Sequence, residues 1–238
     1  MIAVTFSLPD ESSGFVRQLQ HAVKTDTGAG EIVRGEFAGK SVVVLHTGVS
    51  ERICRQRMES FLADTRPDIL ISAGFAGATN EGLAVGDLLV AENFTDPVML
   101  AKIGEVLSTA GGYVGDLFTT ATVIDSLIAR KHIADTTGAD AVDMETEFIA
   151  SACAQRNVPM LSLRVISDSI SQPFPAPAAI LFDVESQRTD FGTLASYLVK
   201  HPAAVPRLIA FARRISKVRA AVTTALCAVV QTDFQRTA

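Results

Sequence analysis

The chain has 238 residues, 48% of them apolar and 20% charged, with a formal net charge of −5. That length and composition suit one folded domain with a sizeable core and exclude a disordered chain. The acidic balance gives no footprint for a nucleic-acid backbone, and no apolar run reaches the roughly 20 residues of a spanning helix.

Ile2 to Phe6 reads as a first strand, without the basic region or cleavage site of a signal peptide, and the reduced thiols described below lead to the expectation of a cytoplasmic protein. Pro9 and Asp10 suit a helix start, and the helix is expected to run to about Val23. Residues 31–37 and 41–46 read as an antiparallel strand pair joined by a tight Gly39-Lys40 turn. Ser50 is the expected cap of a helix to Asp64, with Ile53, Met58, Phe61 and Leu62 on its inner side. Residues 68–73 form the next strand, ending in Gly74-Phe75-Ala76-Gly77, where glycines permit close backbone approach. Residues 86–90 and 113–119 suggest another strand pair with a helix around 98–109 between them. A short helix from Asp125, a strand at 139–143, a helix at 145–156 and a buried strand at 158–167 follow. Strands alternating with amphipathic stretches predict an α/β fold in which helices cover both faces of one sheet. Gln172 to Pro177 reads as an extended loop, and residues 187–232 as a C-terminal helical extension on a single domain spanning 1–238.

The three cysteines, Cys54, Cys153 and Cys227, lack zinc or disulfide spacing and read as reduced core thiols. His21, His46, His132 and His201 show no metal-ligand spacing, so neither a metal nor a cofactor is expected. In open α/β sheets ligands bind beyond the carboxyl ends of the strands. Polar residues collect at four such places: Asp10-Glu11, Gly74 to Gly77, Asp143-Met144-Glu145, and Arg164 to Asp168. Carboxyls in unlike environments can divide acid and base work, because burial raises a carboxyl pKa while cations lower it.

Ile71 to Gly77, Leu83 to Val90, Ala141 to Glu145 and Val158 to Asp168 together resemble, in order and spacing, the superfamily of purine nucleoside phosphorylases and methylthioadenosine/S-adenosylhomocysteine nucleosidases. The resemblance covers about Met1 to Ser169. It implies a three-layer α/β/α fold with a central mixed, twisted sheet, and cleavage of the N-glycosidic bond of an adenosine-type purine nucleoside. It further implies that Asp168 protonates the leaving purine and that Glu11 activates water. Glu145, Met144 and Arg164 would hold the ribose. Ser167, Val123, Phe75, Ala76 and Gly77 would line the pocket on the base side. A turn-capping aspartate or first-turn glutamates would look the same without the motif.

Two departures favour hydrolysis over phosphorolysis. Ser72 and Phe75 stand where the phosphorylases carry an arginine and a hydroxyl residue, which removes charge-assisted donors from an anion site. The nucleosidases carry a small hydroxyl residue at the position of Phe75, and their Gly-Ile-Gly turn is here Gly48-Val49-Ser50. Phosphorolysis is the alternative reaction, and a catalytically silent nucleoside-binding or membrane-surface protein is the alternative of another class. Residues 191–232 contain no acid among Lys200, Arg207, Arg213, Arg214, Lys217 and Arg219, a pattern compatible with weak contact at an anionic membrane surface. The Pro-rich loop and this tail also look similar to hopanoid-associated members of the superfamily. A small-molecule nucleoside, no nucleic acid, and a second copy in a homo-oligomer, most simply a dimer, are the expected partners.

Overall fold

The computed structural model describes residues 1–182, 187 and 190–234. The first half of the chain contributes β1 (Ile2–Phe6), α1 (Pro9–Val16), β2 (Gln20–Thr27), β3 (Gly30–Phe37), β4 (Lys40–His46), α2 (Glu51–Asp64) and β5 (Ile69–Ala78). It continues with β6 (Leu88–Ala91), α3 (Pro97–Lys102), α4 (Gly104–Ala110), β7 (Tyr113–Gly115) and β8 (Leu117–Thr119). The second half supplies α5 (Leu127–Thr137), β9 (Ala141–Asp143), α6 (Thr146–Gln155), β10 (Met160–Asp168), α7 (Ala178–Leu181), α8 (Phe191–Lys200) and α9 (Ala204–Gln231).

These strands form one mixed sheet in the order β2-β3-β4-β1-β5-β10-β6-β7, with β8 and β9 branching from β5. Alternate side chains of each inner strand enter different cores, as a period of two requires when both faces are covered. Val42 and Val44 of β4 join Val4, Phe6, Ile71 and Leu163 in one cluster, packed with Phe15, Met99, Leu107 and Val222 from helices. Val43 and Leu45 join Leu70 on the other face, against Met58, Phe61, Ile149 and Cys153. The architecture is the expected three-layer α/β/α fold.

Local boundaries differ from the sequence reading chiefly in four places, and the tight turn between β3 and β4 falls on Ala38-Gly39, with Lys40 already the first residue of β4. The first helix stops at Val16, and Gln20–Thr27 is an edge strand instead. Its residues are mostly polar and all but Thr27 are exposed, so they show no alternation of burial; pairing with β3 makes them a strand. Ser50 makes no side-chain cap and sits at φ 132°. The stretch 113–119 splits: β7 pairs with β6, whereas β8 pairs with β9. Finally, the distal half of α9 buries Val218, Val222, Leu226, Val229 and Val230 in the first core, so it is a layer of the fold rather than an appendage. Within the expected extension, residues 188–189 lie outside the described residues.

Candidate active site

The parallel neighbours β1, β5 and β10 end together, and their carboxyl ends place Ser7, Ala76, Gly77, Ser167 and Asp168 on one cavity of about 150 Å³. Glu11, Phe75, Val123, Met144 and Glu145 line the same cavity, with Thr120, Ile124, Arg130 and Phe174. Every pocket residue proposed from sequence therefore faces one space except Arg164. A larger hollow of about 550 Å³ lies against Met1, Lys40 and Phe234, away from this carboxyl edge.

Glu145 is released by a neighbour that takes over its structural work. Glu145 stands at the N-cap of α6 but makes no capping bond; Asp143 instead accepts from the Thr146 backbone N–H at 3.1 Å. Glu145 Oε2 is thus left to accept from Ser7 Oγ at 2.9 Å, while Oε1 is buried without a partner. An orphaned buried carboxylate oxygen is costly and marks a place where a ligand hydroxyl would be favourable. Burial pushes the Glu145 carboxyl well above the usual carboxylate range, and the like charges of Asp143 and Glu11 push the same way.

Glu11, in the first turn of α1, folds back so that Oε2 accepts from the Ser7 backbone N–H at 3.2 Å. Removal from water raises its pKa from 4.5 to about 7, against the opposing attraction of Arg164. A carboxyl near neutrality is suited to proton exchange. A Cβ on Gly74 would stand 3.3 Å from Glu11 Oε2, so β5 can pass beneath this side chain because residue 74 has none.

Arg164 lies one step behind the cavity wall. Its guanidinium donates to Ser72 O at 2.7 Å, Ser72 Oγ at 2.8 Å and Asp143 Oδ2 at 3.1 Å. It thereby fixes Asp143 and contributes a field to Glu11 and Glu145. Ser72 is turned toward this arginine and does not line the cavity.

Asp168 follows a register shift between β10 and β5 that breaks the alternation after Ile166. Such a bulge re-aims the side chains it carries. Ser167 Oγ donates to Asp168 Oδ1 at 2.6 Å, and Arg130 Nη2 pairs with Oδ2. Arg130 was not legible from sequence: beside Lys131 and His132 in an amphipathic helix, it reads as part of a solvated face. Phe174, from the Pro-rich loop, closes one side of the cavity and also lines an adjoining cleft of about 830 Å³ with Phe211, Arg207 and Arg214.

Comparison with known proteins identifies the family of the chain. The family model described as "Phosphorylase superfamily" matches residues 1–126 and 113–201. A 5′-methylthioadenosine/S-adenosylhomocysteine nucleosidase of Listeria welshimeri is 29% identical over 215 residues, covering 76% of this chain and 90% of the relative. Among solved structures, the S-adenosylhomocysteine nucleosidase of Streptococcus pyogenes superposes with a TM-score of 0.75 at 18% identity, covering 97% of this chain and 95% of that one. Futalosine hydrolase of Helicobacter pylori superposes with a TM-score of 0.72 at 16% identity, with 96% of each chain covered. With the family model running through every strand of the sheet and the carboxyl edge closing on one cavity, the chain belongs to the phosphorylase superfamily.

Proposed function

We propose that this protein hydrolyses the N-glycosidic bond of an adenosine-type purine nucleoside. The observation that carries this reading is the convergence of Asp168, Glu11 and Glu145 on one cavity, with Glu145 Oε1 buried and unpartnered. In this reading the ribose hydroxyls satisfy Glu145, and Met144 packs against the sugar. The base lies toward Asp168, Ser167 and Val123. As the C1′–N9 bond breaks, its electron pair goes to the purine, Asp168 supplies the proton to N7, and positive charge develops on the sugar. Glu145 favours that charge, while Glu11 takes a proton from the water that attacks C1′.

Water rather than phosphate is favoured by the cavity wall. Phe75 offers no donor, and Arg130 is the one cation among the described lining residues, already committed to Asp168. An anion leaving water needs several charge-assisted donors. The test is base release from methylthioadenosine in phosphate-free buffer: free sugar is the expected product. Strict dependence on added phosphate, with sugar 1-phosphate formed, would overturn hydrolysis while leaving the glycosidic reading intact.

The reading extends to a weak contact at anionic membrane surfaces through α8 and the start of α9. Val199, Val205 and Ile209 are exposed there, beside exposed Lys200, Arg207 and Arg213. No helix among the described residues is long and apolar enough to cross a membrane. Co-sedimentation with phosphatidylglycerol vesicles but not phosphatidylcholine vesicles, weakened in Ile209→Asp, is expected. Equal recovery with both lipids would remove the contact.

A further inference from the structure

Arg130 is almost wholly buried, one turn into α5, and its guanidinium holds three groups at once. Nη1 donates to Ala78 O at 2.7 Å, and Nη2 donates to Ile124 O at 2.8 Å and to Asp168 Oδ2. It joins the end of β5, the loop on the Val123 side of the cavity and the candidate acid. A strut between two carbonyls needs donors but no carboxylate. Burying a cation against Asp168, on a cavity wall, calls for a further reason.

The backbone is shaped around the pair. A Cβ on Gly77 would stand 2.9 Å from both Arg130 Nη1 and Asp168 Oδ2, so the Arg130–Asp168 contact crosses β5 at a position with room for no side chain. With Oδ2 occupied by Arg130, Oδ1, which Ser167 contacts, is the oxygen left to carry and pass a proton.

We infer that Arg130 is a positioning residue for departure of the base: it aims Asp168 Oδ1 at the leaving purine and stabilises the carboxylate that Asp168 becomes when it gives up its proton. The inference rests on the nucleosidase reading. The proton balance closes as follows. Asp168 gives its proton to N7 as C1′–N9 breaks, the attacking water gives one to Glu11, and solvent returns Asp168 and Glu11 to their starting states. Negative charge thus develops on Asp168 during the chemical step, opposite a fixed guanidinium. A preorganised charge is most effective in that situation.

The test compares two leaving groups. Methylthioadenosine needs a proton on its base, whereas p-nitrophenyl β-D-ribofuranoside releases a stable anion and needs none. Arg130→Gln is expected to lose roughly 10²–10³-fold in kcat on the purine nucleoside and less than about tenfold on the nitrophenyl riboside. Arg130→Lys keeps the charge without the planar fork and should fall between wild type and Gln on the purine substrate. Circular dichroism identifies any variant that fails to fold, and the remaining variants then decide. Equal losses on the two substrates in folded variants, or unchanged purine turnover, would overturn the role of Arg130 alone. A wild-type protein that cleaves neither substrate would refute the nucleosidase reading and the inference with it.

Discussion

At the scale of single residues, the site depends on carboxyls kept out of water near a compensating cation. Glu11 shows the consequence for pH. Its folded-state pKa of about 7 lies above the ordinary 4.5, so between these values the unfolded chain has lost a proton that the folded chain keeps. Stability from this group is therefore greatest below pH 4.5 and falls as pH rises to about 7, by roughly 3 kcal/mol over the window. Glu11→Gln is expected to unfold at higher denaturant than wild type at pH 8, with the difference vanishing near pH 4. Its hydrolytic activity should be lost, and wild-type kcat/KM should rise through about pH 7 as the base form appears. Matching denaturation midpoints at pH 8 would show that the carboxyl pays no penalty for its position.

At the scale of elements, α9 has two unlike halves. Its start carries exposed cations and apolar residues, whereas Val222, Leu226 and Val229 are completely buried beneath the sheet. Lys40 Nζ closes the helix end, donating to Val230 O at 2.8 Å and also to Thr232 O at 2.6 Å. Leu226→Ala should therefore behave as a core truncation, lowering stability by about 2–5 kcal/mol in equilibrium unfolding. A change below about 0.5 kcal/mol, the scale of ordinary surface substitutions, would mean that the distal helix is not part of the core.

At the scale of the whole molecule, β7, β8 and the start of α5 carry exposed apolar side chains: Tyr113, Val114, Phe118, Leu127 and Ile128, the last 83% exposed. Large apolar groups left in water favour association, and a self-complementary patch closes most simply as a two-fold dimer. Sedimentation velocity should find the wild type as a dimer at micromolar concentration and Phe118→Asp/Ile128→Lys as a monomer. A monomeric wild type would remove the proposal.

The layered α/β class was legible in the chain because buried strands carry continuous β-branched runs and inner helices carry apolar stripes. Those signals depend on local periodicity alone. The carboxyl-edge segments were legible for the same reason: once the strands are known, Glu11, Glu145 and Asp168 fall at their ends. Tertiary structure alone decided what pairing and enclosure supply. The polar strand Gln20–Thr27 exists because β3 lies beside it, and the register shift before Asp168 exists because β10 must pair with β5 on a displaced residue. The partners of the two buried arginines were set in the same way. Arg164 stands within an apolar strand and Arg130 beside Lys131 and His132 on a helix, and only folding sets one behind Asp143 and the other against Asp168. The partner of a buried charge is chosen by distance through space, across 21 residues for Arg164 and 38 for Arg130, and no local pattern of residues encodes that distance.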